Sequence, residues 1–194
     1  MATETHIIDA RPAYDHAVES ARREWTLVPG TAAIGWTAHK KYFMIIPVTA
    51  NGTFSQVSGT ISIPGDRFEE ARATIRIPVS SHSSGQAKRD RHMLGRDFFH
   101  ADQYPLLSFE STHIRPIDSE VAAYEVSGLL TVRDTGVPVV LIGTVEPEPG
   151  GDRAHIALAG SIDRRDVGMI WNAVPMLKLH NDIGITIDID IERS

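Results

Sequence analysis

No cysteine occurs among the 194 residues, which removes disulfides, thiolate catalysis and cysteine-ligated zinc together. A long apolar run is also missing. The longest, Tyr42 to Val48, is interrupted by Pro47 and falls far short of the roughly 20 residues of a membrane-spanning helix. Basic charge is scarce: Lys and Arg number 19 against 25 acidic residues, for a formal net charge of −6. That sign is opposite to the footprint of a non-specific nucleic-acid binder, so no nucleic-acid partner is expected. Met1 to Asp15 mixes Glu4, Asp9 and Asp15 with Arg11 and lacks the basic start and apolar core of a signal peptide, which predicts a cytoplasmic location. The common catalytic motifs are absent too: there is no G-x-S-x-G elbow, P-loop or Gly-rich dinucleotide turn. Nine histidines are present, but His82, His92, His100 and His113 form no H-x-x-x-H pair. No metal site and no catalytic residue is expected.

What is there, 42% hydrophobic and 23% charged residues, fits one soluble domain with a modest extension. Residues 1–24 read as the extension. Pro12 suits a first helical turn, and Tyr14, Ala17, Val18 and Ala21 recur at helical spacing before Arg22 and Arg23, predicting a short amphipathic helix over Pro12 to Arg23. Its narrow apolar stripe needs a docking surface, on the outside of the domain or on a second subunit in a homodimer.

From Trp25 onward the period changes to two. Ile183, Ile185, Ile187, Ile189 and Ile191 alternate with Gly184, Thr186, Asp188, Asp190 and Glu192, and the 71–79 segment alternates likewise. Further candidate strands are Ala33 to His39, Gly52 to Ile63, Leu106 to Arg115, Ala122 to Val132, Val137 to Val145 and Arg153 to Arg164, about eight in all. Pro29-Gly30, Asn51-Gly52, Pro64-Gly65-Asp66, Asp134-Thr135-Gly136 and Pro149-Gly150-Gly151-Asp152 read as the turns between them. So many antiparallel strands must close into a barrel or stack as a sandwich to remove their edges, and periodicity does not choose. In Val137 to Val145, Val139, Leu141 and Val145 share one face while Val140 and Ile142 lie on the other, leaving apolar side chains outside.

Ser80 to Tyr104 breaks the alternation. Gln86 to Leu94 predicts a short helix, and the segment is too rich in Phe, Leu and Met for disorder. It is expected to pack over an opening.

This excursion carries a resemblance. The run Arg89-Asp90-Arg91-His92-Met93-Leu94, then Asp97-Phe98-Phe99, then Tyr104-Pro105 with Ser108-Phe109-Glu110-Ser111-Thr112, closely resembles the central signature of the YceI-like family. Gly128-Leu129-Leu130-Thr131-Val132 looks like that family's Gly-x-Leu-Thr strand, and Arg165-Asp166-Val167-Gly168-Met169-Ile170-Trp171-Asn172 resembles its Arg-x-Asp-Phe-Gly-x-x-Trp-Asn segment. Asn181-Asp182-Ile183 is similar to its Gly-Asp-x-Val ending. The likeness spans about Trp25 to Glu192. The chain departs from it at Gly30-Thr31, where the family has His-Ser, at Lys40, where it has histidine, and in about four extra residues before Gly52-Thr53-Phe54.

The resemblance implies an all-β, lipocalin-like, eight-stranded antiparallel barrel with a short helix between middle strands. It also implies a non-enzymatic carrier of an isoprenoid or other long-chain lipid held in the lumen, with no other cofactor. On this reading Trp36, Phe54, Ile75, Phe109 and Leu129 face the lumen, while Arg89, His92 and Arg96 form a cationic rim for a diphosphate head. Two alternatives stay open: a small enzyme acting on a lipidic diphosphate through Arg89, Asp90 and His92, and a barrel filled by its own side chains that acts through its surface. Arg89 and Asp90 can equally serve as structural ion pairs.

Overall fold

The computed structural model describes residues 22–194 apart from 44, 65–66, 119 and 172–176. Among the described residues the chain forms eleven strands and one α-helix: β1 Arg22–Leu27, β2 Ala33–Tyr42, β3 Ile46–Phe54, β4 Ser58–Pro64, β5 Arg72–Pro78, β6 His82–Ser83, α1 Ala87–Leu94, β7 Leu106–Asp118, β8 Ala123–Val132, β9 Thr135–Pro147, β10 Arg153–Asp163 and β11 Leu177–Arg193. All recorded pairings are antiparallel, and the order β1-β4-β5-β7-β8-β9-β10-β11 closes on itself through β1–β11. Eight strands therefore make a closed barrel, the arrangement that leaves a sheet without edges.

The other three strands are continuations rather than additions. β1 and β2 run in succession along the same edge of β11, with Leu27 opposite Ile191 and Ala33 opposite Asp188. β3 and β4 pair in turn with β2 and β1, and β5 and β6 with β4 and β3. Three long strands are thus each broken once. At 28–31, Gly30 takes φ +83° and Thr31 Oγ1 donates to Val28 O at 3.0 Å. At 55–57, Ser55 N donates to Ser81 O at 3.3 Å. At Val79–Ser81 a single 3₁₀ turn intervenes, with Ser81 Oγ donating to Pro78 O at 2.7 Å.

Beyond the breaks β2, β3 and β6 splay from the ring, and β6 shares no ladder with β7 among the described residues. Residues 84–105, including α1, span that gap, tied down where Val79 N donates to Pro105 O at 2.9 Å. The segment without alternation does cover an opening in the wall.

Several sequence expectations need correction. Gly52 to Ile63 is two strands, because the chain bends at 55–57. Asn51-Gly52 lies inside β3 instead of forming a turn, and β2 ends at Tyr42, which pairs with Ile46 at the start of β3. Glycine is needed at 52 for another reason: a Cβ there would stand 2.7 Å from Trp36 Nε1 and 2.9 Å from His82 Nε2. The β8–β9 turn is Arg133-Asp134, since Val132 pairs with Thr135 and Arg133 adopts φ +59°. Most of the helix expected over Pro12 to Arg23 lies outside the described residues. Its last two residues, Arg22 and Arg23, and Glu24 with them, belong to β1, where Arg22 pairs with Pro64 and Glu24 with Ser62. The strand ladder overrides the helical spacing, and the barrel begins before Trp25.

The core divides along the barrel axis. At the end away from α1, Trp25, Ile61, Ile114, Leu141, Ile156 and Ile191 are buried and fill the lumen, and the Arg193 guanidinium lies 5.4 Å over the Trp25 ring. At the α1 end the lumen is open.

Candidate functional site

At that open end lies a cavity of about 650 Å³. Its walls come from the inward residues of the splayed and ring strands alike: Ile34, Trp36, Ala38 and Lys40 from β2, Ala50 and Phe54 from β3, Ile77 from β5, Leu107 from β7, Leu130 and Val132 from β8, Ile162 from β10, and Leu179, Ile183 and Ile185 from β11. Period-two alternation puts one set of each strand inside. Lys88, Arg89, His92 and Met93 of α1 line the same space, with Phe98 and Phe99 after the helix and Val167, Met169 and Trp171 from the β10–β11 connection. The i, i+4 spacing of Lys88 with His92 and of Arg89 with Met93 places both pairs on neighbouring positions of the helix surface.

Among the described residues, every ionisable side chain in this lining is basic or imidazole: Lys40, Lys88, Arg89, His92 and Arg164. The carboxylates of Asp90 and Asp97 are outside the lining, each engaged by a neighbour. Asp90 Oδ1 accepts from the amide of Ser84 at 2.7 Å and its hydroxyl at 2.5 Å, contacts that hold its carboxyl below the usual range. Asp97 Oδ2 lies 2.9 Å from His92 Nε2, and the His92 ring packs edge-on against Trp171 and Phe98. Of the Arg89, Asp90 and His92 of the enzymatic alternative, Arg89 and His92 line the cavity, while Asp90 is held on the Ser84 loop; Arg89 Nη1 also donates weakly to Asn51 O at 3.4 Å.

Arg164 is buried, and its guanidinium donates to His180 O and Trp171 O, each at 3.1 Å, and to Met169 O. Burial lowers its pKa, with Asp163 opposing, yet an arginine keeps its proton in proteins. It stitches the 164–171 turn to β11 and brings fixed positive charge to the cavity wall.

A second polar cluster lies behind the wall. The buried indole nitrogen of Trp36 and both ring nitrogens of His82 have no hydrogen-bond partner among the described residues. His82 stacks parallel to Trp36 at 5.7 Å and meets Phe54 and Phe99 at 5.5 and 5.9 Å. Burial pushes its pKa below 6.5, with the charge of Asp90, 3.7 Å away, working against that shift.

Of the eight residues singled out from sequence, the structure brings Trp36, Phe54, Arg89 and His92 to the cavity. Ile75 and Phe109 point inward but lie in the filled half. Arg96 is exposed and is not part of the lining; its carbonyl accepts from Arg133 Nη2 at 2.8 Å. Leu129 requires correction: it is 42% exposed on the outer face, and its neighbour Leu130 lines the cavity. Two adjacent leucines carry no alternation signal; the inward phase is set by Gly128, over which the Phe109 ring lies. Sequence reasoning missed Lys88, Arg164 and Trp171 as lining residues. The helical spacing of Lys88 with His92 was the available signal for the first, whereas Arg164 and Trp171 depend on how a connection folds.

The comparisons with known proteins agree with this architecture. The YceI-like domain model matches residues 25–191. A UPF0312 protein of Photorhabdus laumondii is 29% identical over 119 residues, covering 59% of this chain and 60% of that protein. A UPF0312 protein of Pseudomonas fluorescens is 30% identical over 132 residues, covering 64% of this chain and 66% of the relative. The chain thus spans less than two thirds of the length of these curated relatives. Among solved structures, Burkholderia cenocepacia BcnA superposes with a TM-score of 0.70 at 19% identity, covering 84% of this chain and 98% of that one. A polyisoprenoid binding domain from Saccharophagus degradans superposes with a TM-score of 0.64 at 15% identity, covering 88% and 98%. At such identities these two structures speak for the fold alone. With the family model matched along nearly the whole barrel, the chain belongs to the YceI-like family.

Proposed function

We propose that this protein is a non-enzymatic binding protein that holds one isoprenoid or other long-chain amphiphile in the open half of its barrel, with an anionic head at the mouth. The observation that carries this reading is the lining itself: an apolar chamber of about 650 Å³ whose ionisable groups among the described residues are Lys40, Lys88, Arg89, His92 and Arg164, with no carboxylate among them. That polarity runs against the net charge of −6. Volumes of this order suit a small ligand, and each buried methylene contributes ~0.8 kcal/mol, so three prenyl units supply on the order of 10 kcal/mol before ordering costs. Arginine and lysine at the rim suit phosphate or carboxylate oxygens. The Saccharophagus domain, described as polyisoprenoid binding, supports the same class of ligand.

The experiment has two arms. Organic extraction of the purified protein followed by mass spectrometry is expected to recover a single-chain lipid in near-stoichiometric amount. Arg89→Met is expected to weaken a prenyl phosphate about tenfold or more, in line with the ~1.5–3 kcal/mol of a charged hydrogen bond, and to leave the corresponding alcohol nearly unchanged. Equal losses for both, or turnover of the phosphate by the wild-type protein, would count against the proposal.

A further inference from the structure

The cavity stops partway down the barrel, and the stop has a definite construction. Along each of four strands the inward set passes from cavity wall to packed interior in one alternation step: Ile77 to Ile75, Leu107 to Phe109, Leu130 to Gly128, and Ile185 to Ile187. Inward positions at this level include the glycines Gly59, Gly128 and Gly160, and Gly128 and Gly160 are each overlaid by a large side chain from the adjacent strand. A Cβ on Gly128 would collide with the Phe109 ring, and one on Gly160 would stand 2.8 Å from Leu141 Cδ2. Phe109 and Leu141 are 7% and 2% exposed. The absent side chains of Gly128 and Gly160 leave room that the Phe109 ring and the Leu141 isobutyl group occupy on the inner face of the barrel.

We infer that Phe109 over Gly128, with Leu141 over Gly160, is a chain-length stop that sets the longest ligand this barrel accepts. The inference rests on the binding function proposed above and adds a limit to it. A cavity of about 650 Å³, at about 30 Å³ for each carbon-sized group, takes roughly 20 such groups, head included. A farnesyl or geranylgeranyl chain fills it. An octaprenyl chain needs about twice the space and leaves its surplus in water, where it adds no burial.

Binding of geranyl, farnesyl, geranylgeranyl and octaprenyl monophosphates to the full chain tests this, followed through the fluorescence of Trp36 and Trp171, both in the cavity wall. Affinity is expected to peak at farnesyl or geranylgeranyl and to fall at least tenfold for octaprenyl. Phe109→Ala removes the ring and is expected to move the peak about one prenyl unit longer. Because losing a packed ring can unfold a barrel, Phe109→Leu and Ala38→Phe accompany it; the first lengthens the limit less, and the second, which fills the cavity, shortens it. Octaprenyl bound as tightly as geranylgeranyl, or the same limit in every folded variant, overturns the stop while leaving the binding function standing. Absence of binding by every member of the series overturns both.

Discussion

The two halves of this barrel are built from the same strands and the same alternation, yet one is packed solid and the other encloses a chamber. In the filled half the ring is complete: β1, β4, β5 and β11 close it, and Trp25, Ile61, Ile156 and Ile191 meet across it. In the open half β2, β3 and β6 diverge after their breaks, and a helical segment substitutes for a strand pairing. The small residues Ala38 and Ala50 stand on the wall there, between larger ones such as Ile34, Trp36 and Phe54. Whether an eight-stranded barrel is a core or a container thus depends on where its strands bend and on which positions are small.

The sharpest way to break the comparison is to make equivalent deletions on either side of it. Leu141→Ala, in the filled half, is expected to cost about 2–5 kcal/mol in urea unfolding because the cavity it leaves cannot collapse. Leu130→Ala only enlarges a cavity that already exists and is expected to cost about 1–2 kcal/mol, the transfer contribution alone. Equal losses would mean that the chamber is not open in solution.

Acid titration adds a second contrast. His82, behind the open half, has its pKa lowered by burial, with Asp90 opposing. The unfolded chain therefore takes up a proton near 6.5 while the folded protein resists, so the folded state loses stability as pH falls below about 6.5 toward the lowered folded value. His155, outside the filled half, is shifted the other way, chiefly by its hydrogen bond with Asp190 at 2.8 Å. Its contribution is full below 6.5 and is lost as pH rises through the raised value. Thermal melting between pH 7 and 5 is expected to fall less steeply in His82→Phe than in wild type, and more steeply in His155→Gln. The opposite order would refute the assignment of the two groups.

The smallest expected effect is at the rim of the filled half. Arg153 Nη2 and Glu192 Oε2 pair at 2.8 Å across β10 and β11, both well exposed. Arg153→Ala is expected to change stability by less than about 1 kcal/mol, and less still in high salt. A larger change would show that the barrel wall is held at its edges as much as by its interior.

Much of the architecture was legible in the residues. The isoleucines from Ile183 to Ile191 alternate so regularly that one face had to be buried, and the run from Ser80 to Tyr104 had to be something other than strand. The outward apolar residues Val140 and Ile142 were likewise foreseen and are about half exposed. The site was only partly legible. Trp36 and Phe54 were distinguishable as inward aromatics, but Ile75 and Phe109 satisfy the same pattern and lie in the packed half. Leu129 and Leu130 are indistinguishable until the register with β7 is known.

By itself the sequence determined the period-two alternation, the exclusion of disulfide and thiolate chemistry, the interrupting helix and the likeness to a family. These are properties of local spacing and composition, which act over a few residues. Only the tertiary structure decided where the lumen ends, because that depends on which side chain leans over which glycine: Phe109 over Gly128 across β7 and β8, Leu141 over Gly160 across β9 and β10. Each of those pairs is separated by about 20 residues of chain and brought together by register. Strand pairing converts distant positions into neighbours, and steric contact between neighbours determines which part of the barrel is full.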